Sequence, residues 1–204
     1  MLKAFVEHGV GMAVTTAKVS KDQANRIVNI DEGQFAEVKG CAIAPSKLSK
    51  TISALSNSDG GDLYVGIDEG DPPDRKRSWN GFPNDEAANA HINTFEQLFP
   101  LGQDYQYEFL SCDELPGLVL HVQIQKTKEI KKASNGIPYI RRGAQSLPVD
   151  NPEKLKRLEY SKGVYSFESE SCDVPIELVT ESDMPCRKAL MFGACSVARL
   201  GPRR

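Results

Sequence analysis

The sequence predicts an α/β protein, also describable as α+β, in which a small mixed sheet carries a β-α-β core, a following β-hairpin and flanking helices. Residues 34–67 show a strand-like run, an amphipathic helix and a second strand, with the pair Gly60–Gly61 between helix and strand. Residues 105–125 alternate apolar and polar side chains around a Pro-Gly turn, which indicates an antiparallel hairpin. The order strand, helix, strand predicts a crossover unit, which is right-handed when the strands are parallel.

Composition is typical of a soluble globular protein. Of the 204 residues, 40% are hydrophobic and 26% are charged, and the net charge of −3 excludes a uniformly basic surface. No apolar run approaches the ~20 residues that span a bilayer, and the N-terminus lacks the apolar core of a secretory signal, so we expect no membrane partner. The five cysteines are scattered without a Cys-x-x-Cys pair, which favours reduced thiols and a cytoplasmic location.

The strength of the pattern divides the chain into three parts. We predict an N-terminal extension over residues 1–29, a domain over residues 30–160 and a C-terminal tail over residues 161–204. In the extension, Ser20 is placed to cap a short helix. The tail shows only a candidate strand over residues 174–179, and it either docks on the domain, exchanges with a neighbouring chain or is a truncation remnant.

The clearest helix begins at Pro45 or Ser46, because proline loses no hydrogen bond at the first helical position. Asn57 and the glycine pair end it, since glycine accepts the left-handed conformation that other residues resist. Asn57 and the glycines could also cradle an anion through backbone N–H groups, although a helix stop is the simpler interpretation.

The later elements follow from similar signals. Asn84 is a suitable N-cap for a helix, and residues 137–142 form a strand-like run after an Asn-Gly turn. Pro152 begins a final short helix, which Asp150 or Asn151 caps. A sheet this small leaves strand edges exposed, which favours a homodimer.

Two carboxylates are candidates for metal chemistry. The strand after the glycine pair is expected to deliver Asp68 to its exit, where Glu37 of the preceding strand would meet it at one sheet edge. Carboxylate oxygens hold Mg²⁺ or Mn²⁺, and the metal polarises a phosphate and activates water. The alternative is structural: Glu37 pairs with Lys39 or another cation, while Asp68 and Glu69 are solvated loop acids.

Two basic clusters are candidates for phosphate contact, because lysine and arginine neutralise phosphates and release counterions. The first is the segment 126–142, with the cations Lys126, Lys128, Lys131, Lys132, Arg141 and Arg142. The second consists of Arg75, Lys76 and Arg77. Solvated loops show the same pattern, and Arg141 is alternatively a structural partner of Asp68 or Glu37.

Two ring side chains near these charges have more than one interpretation. Tyr139 is placed to stack on a base, although an aromatic residue in a strand belongs more often to the core. His121 faces away from the apolar side of its strand, so we interpret it as a surface histidine.

Four ordered motifs resemble the Schlafen AlbA_2 domain. They are Glu37-Val38-Lys39, then Ala54-x-x-Asn57-x-x-Gly60-Gly61, then Gly66-Ile67-Asp68, and finally Tyr139-Ile140-Arg141-Arg142-Gly143. The resemblance covers most of the chain, residues 30–160. It implies a compact Alba-like α/β domain, often described as a DNA-binding or transcription-regulator module.

The resemblance also implies an enzymatic alternative. Schlafen relatives include RNA endonucleases that use three acids, and the matching positions in this sequence are Glu32, Glu37, and Asp68 or Glu69. Such an enzyme would use Mg²⁺ or Mn²⁺.

These observations support three hypotheses. The first is a nucleic-acid-binding regulatory module of Schlafen AlbA_2 type, homodimeric and bound to DNA or RNA through its basic clusters. The second is a metal-dependent ribonuclease with Glu32, Glu37 and Asp68 as catalytic residues, of which Glu37 and Asp68 hold the metal. The third is a non-catalytic oligomerisation module whose charges are only solvated.

Overall fold

The computed structural model describes residues 15–71, 74–100 and 104–165. Contacts divide the chain into two compact units, residues 1–150 and residues 151–204. The predicted strand over residues 174–179 lies outside the described residues, as does most of the predicted tail. Within the described ranges, no helix is both long enough and apolar enough to cross a membrane.

The first unit contains nine strands and three α-helices among its described residues. In chain order these are β1 (Thr16–Lys18), α1 (Lys21–Val28), β2 (Ala36–Lys39), α2 (Pro45–Asn57), β3 (Gly61–Val65), β4 (Ile67–Glu69), β5 (Arg77–Trp79), α3 (Asn89–Leu98), β6 (Tyr105–Ser111), β7 (Leu118–Ile124), β8 (Tyr139–Arg142) and β9 (Gln145–Pro148). A 3-10 turn, Glu86–Ala88, immediately precedes α3.

The predicted fold class is confirmed. Five strands form one mixed sheet in the order β1-β6-β7-β3-β2, while β4–β5 and β8–β9 are separate antiparallel hairpins. β2 and β3 are parallel and are joined through α2, as the crossover prediction requires. β6 and β7 form the predicted antiparallel hairpin.

The second unit is described only over residues 151–165. It contains α4 (Pro152–Ser161), which begins with proline at its first position. Asn151 is the N-cap, since its Oδ1 accepts from the Lys154 N–H at 2.8 Å. The sequence allowed either Asp150 or Asn151 in this role, and the hydrogen bond identifies Asn151.

Local signals set the ends of the first two helices. Ser20 and Gln23 form a capping box at the start of α1, in which each side chain binds the backbone N–H of the other residue. Gly60 has a φ of 78°, and its N–H donates to the Leu55 carbonyl at 2.9 Å, which closes the end of α2. A Cβ on Gly60 would meet the Ile124 carbonyl at 2.5 Å, so glycine is also required by packing.

The two faces of the sheet carry separate hydrophobic clusters. α2 and α3 pack on one face, and their core residues include Leu48, Ile52, Leu55, Phe95, Leu63, Val65, Phe109, Leu120 and Val122. α1 and the β4–β5 hairpin pack on the other, with Ala24, Val28, Val38, Ile67, Trp79, Leu110 and Val119. β1 and α1 belong to the sequence region that we predicted as an N-terminal extension, and they add an edge strand and a covering helix to this unit.

The strand predicted over residues 62–67 is interrupted at Gly66. Its φ of 124° turns the chain out of the sheet, and a Cβ there would lie 3.2 Å from the Val119 side chain. β3 therefore ends at Val65, and Ile67 begins β4, which pairs with β5 instead. The expectation of one continuous strand is wrong at this point, because the apolar alternation continues across a residue that changes the chain direction.

Candidate nucleic-acid interface

A polar face of α2 holds the basic segment 126–142. Three buried side chains of α2 recur every four residues, namely Ser49, Ser53 and Asn57. Near the end of the helix, the Thr127 N–H donates to the Ser56 carbonyl at 3.0 Å. Near its start, Ser134 contacts the Ser49 hydroxyl at 3.1 Å. The segment thus runs back along α2 over about 10 Å, given a rise of about 1.5 Å per residue.

Asn57 is the centre of this attachment and is only 3% exposed. Its Nδ2 donates to the Lys131 carbonyl at 2.7 Å and to the Tyr139 carbonyl at 3.0 Å, while its Oδ1 accepts from the Lys131 N–H at 2.8 Å. Ser53 adds a donation to the Lys131 carbonyl at 2.7 Å. The Asn57 amide therefore fixes two backbone positions of the segment and is not available to an anion.

The cations of the segment differ in exposure. Lys126, Lys128, Lys132 and Arg142 are exposed. The Lys126 Nζ lies 3.6 Å from Asp59 Oδ1, and an exposed pair of this length contributes little to stability. The Lys131 Nζ is more enclosed, at 3.2 Å from Glu129 Oε2 and 5.4 Å from the centre of the Phe99 ring. A fixed backbone that presents solvated cations suits phosphate binding, because little order must be gained on contact.

A groove of about 450 Å³ lies beside Lys131 and Lys132, between the start of α2 and α3. Its walls include the polar side chains of Ser46, Thr94 and Gln97. The first turn of α2 borders this groove, and the positive end of the helix dipole adds to the charge of the two lysines. The groove therefore combines two cations and a helix N-terminus with an apolar wall that includes Pro45, Leu98 and Ile130.

The second basic cluster lies by the β4–β5 hairpin. Arg75 and Lys76 are exposed, whereas Arg77 is half-buried. The Arg77 Nη1 donates to the Ile30 carbonyl at 2.6 Å, and its Nη2 lies 3.5 Å from Glu32 Oε1. The Arg77 side chain is therefore engaged by contacts within the protein. Arg75 and Lys76 are the two cations of this cluster that remain exposed.

Glu37 and Arg141 form a buried ion pair. They are 5% and 3% exposed, and the Arg141 Nη2 donates to Glu37 Oε2. The other carboxylate oxygen, Glu37 Oε1, lies 2.5 Å from the Lys39 Nζ. Both pairings that the sequence allowed for Glu37, with Lys39 and with a more distant cation, are present.

Arg141 has further partners in the segment before β2 and at the end of α2. Its Nε donates to the Gly33 carbonyl at 3.0 Å, and its backbone N–H donates to the Ser58 hydroxyl at 2.8 Å. The sequence placed Arg141 among the phosphate-contacting cations, but the structure places its guanidinium in the interior. A phosphate would have to displace Glu37 to reach it.

Glu32 joins the same network at its edge. Its Oε1 accepts from the Val38 N–H at 3.2 Å and lies 3.8 Å from the Lys39 Nζ, in addition to its contact with Arg77. Glu32 and Glu37 thus share Lys39 as a partner. Its positive charge offsets the repulsion between the two carboxylates.

Asp68 occupies a different environment, on β4. Its Oδ2 accepts from the Asn80 Nδ2 at 2.6 Å. Its Oδ1 packs against Gly40, where an added Cβ would lie only 2.3 Å from this oxygen. Burial, with the charge of Asp68, raises the pKa of the Cys41 thiol to about 11. In the described ranges, no three His, Cys, Asp or Glu side chains are grouped to hold a metal ion.

His121 bridges two strands on the open part of the sheet. Its Nε2 lies 2.9 Å from Asp62 Oδ1, its Nδ1 lies 3.1 Å from Glu108 Oε1, and its ring stacks on Tyr64 with centroids 4.6 Å apart. Burial lowers the pKa of His121, but the hydrogen bonds and charges of the two carboxylates raise it more, so the net direction is upward. His121 is thus a cross-strand bridge rather than a solvated surface side chain.

The chain belongs to the Schlafen AlbA_2 family. The family model described as Schlafen, AlbA_2 matches residues 32–150, more than half of the chain. The comparison with curated proteins finds no match.

The solved structures that are similar to the chain include the following two proteins. The DIP2311 protein from Corynebacterium diphtheriae is 15% identical with a TM-score of 0.47, and the match covers 76% of this chain and 35% of that protein. The N-terminal domain of a DNA helicase RecG-related protein from Nitrosomonas europaea is 20% identical with a TM-score of 0.42, covering 59% of this chain and 86% of that domain. The chain thus spans about a third of the length of the Corynebacterium protein.

Sequence reasoning missed two parts of this interface. The attachment by Ser49 and Ser53 has a sequence signal, because small polar residues at four-residue spacing beside an apolar stripe indicate a second buried face of α2. Phe35 is the other, since its side chain is 59% exposed immediately before β2. No local signal separates an exposed phenylalanine from a core one at the edge of a short strand.

Proposed function

We propose that this protein is a nucleic-acid-binding module that contacts the phosphate backbone through the exposed cations of the segment 126–142. The observation that carries the proposal is the attachment of this segment to α2, which holds its backbone rigid and leaves four cations exposed. Lys131 and Lys132 beside the groove support the same function, and so does membership of a family that is often described as a DNA-binding module. We also propose that the protein acts in regulation, as the family resemblance implies, and that it forms the homodimer predicted from the sequence.

Fluorescence anisotropy with labelled DNA and RNA over a series of salt concentrations tests this function. We expect the triple variant K126Q/K128Q/K132Q to bind more weakly, and the negative slope of log K against log[salt] to become shallower by about 0.7–0.9 for each lost phosphate contact. The matched control is K18Q/K21Q/R26Q, which removes three exposed cations on the α1 side of the sheet, two of them in surface pairs. Equal losses in the two variants, or no binding by the unaltered protein at low salt, would reject the proposal.

The ribonuclease alternative makes a different prediction. It requires cleavage of tRNA in the presence of Mn²⁺ and the loss of that cleavage in Glu37→Gln. In the structure both carboxylate oxygens of Glu37 are occupied by Lys39 and Arg141, and a metal would have to replace at least one of these cations. We therefore expect binding without cleavage, and cleavage that depends on Glu37 would reverse this preference.

A further inference from the structure

Phe35 stands apart from the other apolar side chains of the first unit. Phe35 is the one exposed large hydrophobic residue among the described residues up to position 150, and 59% of its surface is accessible. A single exposed apolar side chain is common and needs no explanation by itself. The surroundings of Phe35 are what give its exposure a meaning.

The backbone of Phe35 is rigidly held. Its carbonyl accepts from the Asp62 N–H at 2.8 Å, and it passes so near Gly61 that a Cβ there would lie 2.5 Å from it. The neighbouring Gln34 is also tied down, because its Oε1 accepts from the Gly143 N–H at 3.0 Å. A ring on such a fixed base loses little conformational entropy when a partner covers it.

Two exposed cations are linked to Gln34, the residue that precedes Phe35. Arg142 follows Arg141, whose carbonyl accepts from the Gln34 Nε2 at 3.3 Å. Lys126 is linked through Asp59, which accepts from the Gln34 Nε2 at 3.3 Å and lies 3.6 Å from the Lys126 Nζ. The carboxylate of Asp59 already contacts Gln34 and Lys126. We call Phe35, Lys126 and Arg142 the Phe35 surface.

We propose that the Phe35 surface binds single-stranded nucleic acid, with one base stacked on the Phe35 ring and the adjoining phosphates held by Lys126 and Arg142. An aromatic ring beside cations is the combination that single-strand-binding proteins use, because every base has a face to stack and every linkage has a charge. This inference rests on the proposed function and adds the class of nucleic acid. The Tyr139 ring, considered from the sequence for this role, is only 8% exposed.

The preference for single strands follows from base accessibility. In a duplex each base is stacked between its neighbours, and exposing one costs a few kcal/mol of unstacking and unpairing. An exposed ring on the protein surface offers a stacking partner only to a base that is already free. Phe35 should therefore add affinity for single strands and none for duplexes, whereas the lysines of the segment add affinity for both.

Anisotropy measurements with a labelled oligo-dT, an oligo-U and a matched DNA duplex test the inference on the full chain. We expect Phe35→Ala to weaken single-strand binding about 5- to 150-fold, the range for loss of one stacked base, with duplex binding unchanged. Phe35→Trp should retain or strengthen single-strand binding, because indole stacks at least as well. The exposed position of Phe35 makes loss of folding in these variants unexpected, and Trp79 fluorescence checks it.

The outcomes separate this inference from the proposed function. Unchanged single-strand binding in Phe35→Ala, with loss in K126Q/K128Q/K132Q, would overturn the stacking role and leave the function standing. Equal loss for single strands and duplexes, or a change only in self-association measured by sedimentation, would also overturn it. Absence of all binding by the unaltered protein would overturn both. The oligo-dT and oligo-U arms identify DNA or RNA as the ligand, and a stacking loss in either supports the inference.

Discussion

Arg141 and Arg142 are consecutive residues of β8 with opposite environments. Arg141 is buried against Glu37, whereas Arg142 is exposed and belongs to the Phe35 surface. Successive side chains of a strand point to opposite faces, so adjacent cations in a strand cannot both meet one ligand surface. The comparison teaches that a basic run in a strand contains fewer phosphate contacts than its charge suggests, because part of it stabilises the fold.

Removing Arg141 should have the largest effect on stability. Arg141→Ala leaves the buried Glu37 carboxylate with only Lys39 as its charged partner, so we expect a loss of about 3 kcal/mol in the free energy of unfolding. Urea unfolding followed by the fluorescence of Trp79, the one tryptophan of the chain, measures it.

Arg142→Ala is the matched control for stability, since an exposed arginine should change the free energy of unfolding by no more than about 0.5 kcal/mol. Replacing both charges, in Glu37→Leu with Arg141→Met, should cost less than Arg141→Ala alone, because no buried carboxylate is left. Equal stability of Arg141→Ala and Arg142→Ala would contradict the structural role assigned to Arg141.

Removing the Asn57 amide should have the next largest effect and should also reach the exposed cations. Asn57→Ala leaves the N–H of Lys131 and the carbonyl of Tyr139 without this partner, so we expect about 2 kcal/mol of destabilisation. Nucleic-acid affinity should fall with the charges unchanged, because the segment 126–142 loses its attachment. Urea unfolding and anisotropy measure the two effects.

Asn93→Ala, at an exposed position of α3, is the control for this variant and should change neither property. If Asn57→Ala destabilises the protein but binds nucleic acid with full affinity in conditions where it is folded, the rigid attachment of the segment is not needed for binding.

His121 lies between the two extremes of Arg141 and Arg142, because its ion pairs are partly exposed. Its pKa is raised in the folded state, so protonation favours folding. This contribution is complete below the unfolded pKa of about 6.5 and is lost as the pH rises through the raised folded pKa. Unfolding free energies measured from pH 5.5 upward should show this decline, and His121→Gln should remove it. A decline of the same size in His121→Gln would assign the pH dependence to other groups.

The smallest expected effect is that of Arg142 on binding. Arg142→Ala should make the negative slope of log K against log[salt] shallower by about 0.7–0.9, the value for one phosphate contact, without changing stability. Arg26→Ala, which removes an exposed arginine from α1, should leave the slope unchanged. An unchanged slope in Arg142→Ala would remove Arg142 from the Phe35 surface.

Local chemistry made much of the fold predictable. The capping box at Ser20, the proline at the start of α2 and the glycines at its end act within a few residues, so the sequence alone shows them. Alternation likewise predicted the β6–β7 hairpin. The turn at Gly66 was not predictable in this way, because a glycine within an apolar alternation is compatible with both a continuous strand and a break.

The sequence by itself determined the fold class, the family and the segment that carries most of the basic residues. Only the tertiary structure decided which cations of that segment are exposed, because Glu37 and Arg141 are separated by 104 positions along the chain and meet only after β8 packs on α2. It likewise decided that Tyr139, in β8, is buried and that Phe35, just before β2, is exposed, since the environment of a side chain depends on which other elements cover it. Burial is a property of the assembled layers, and no local pattern contains it.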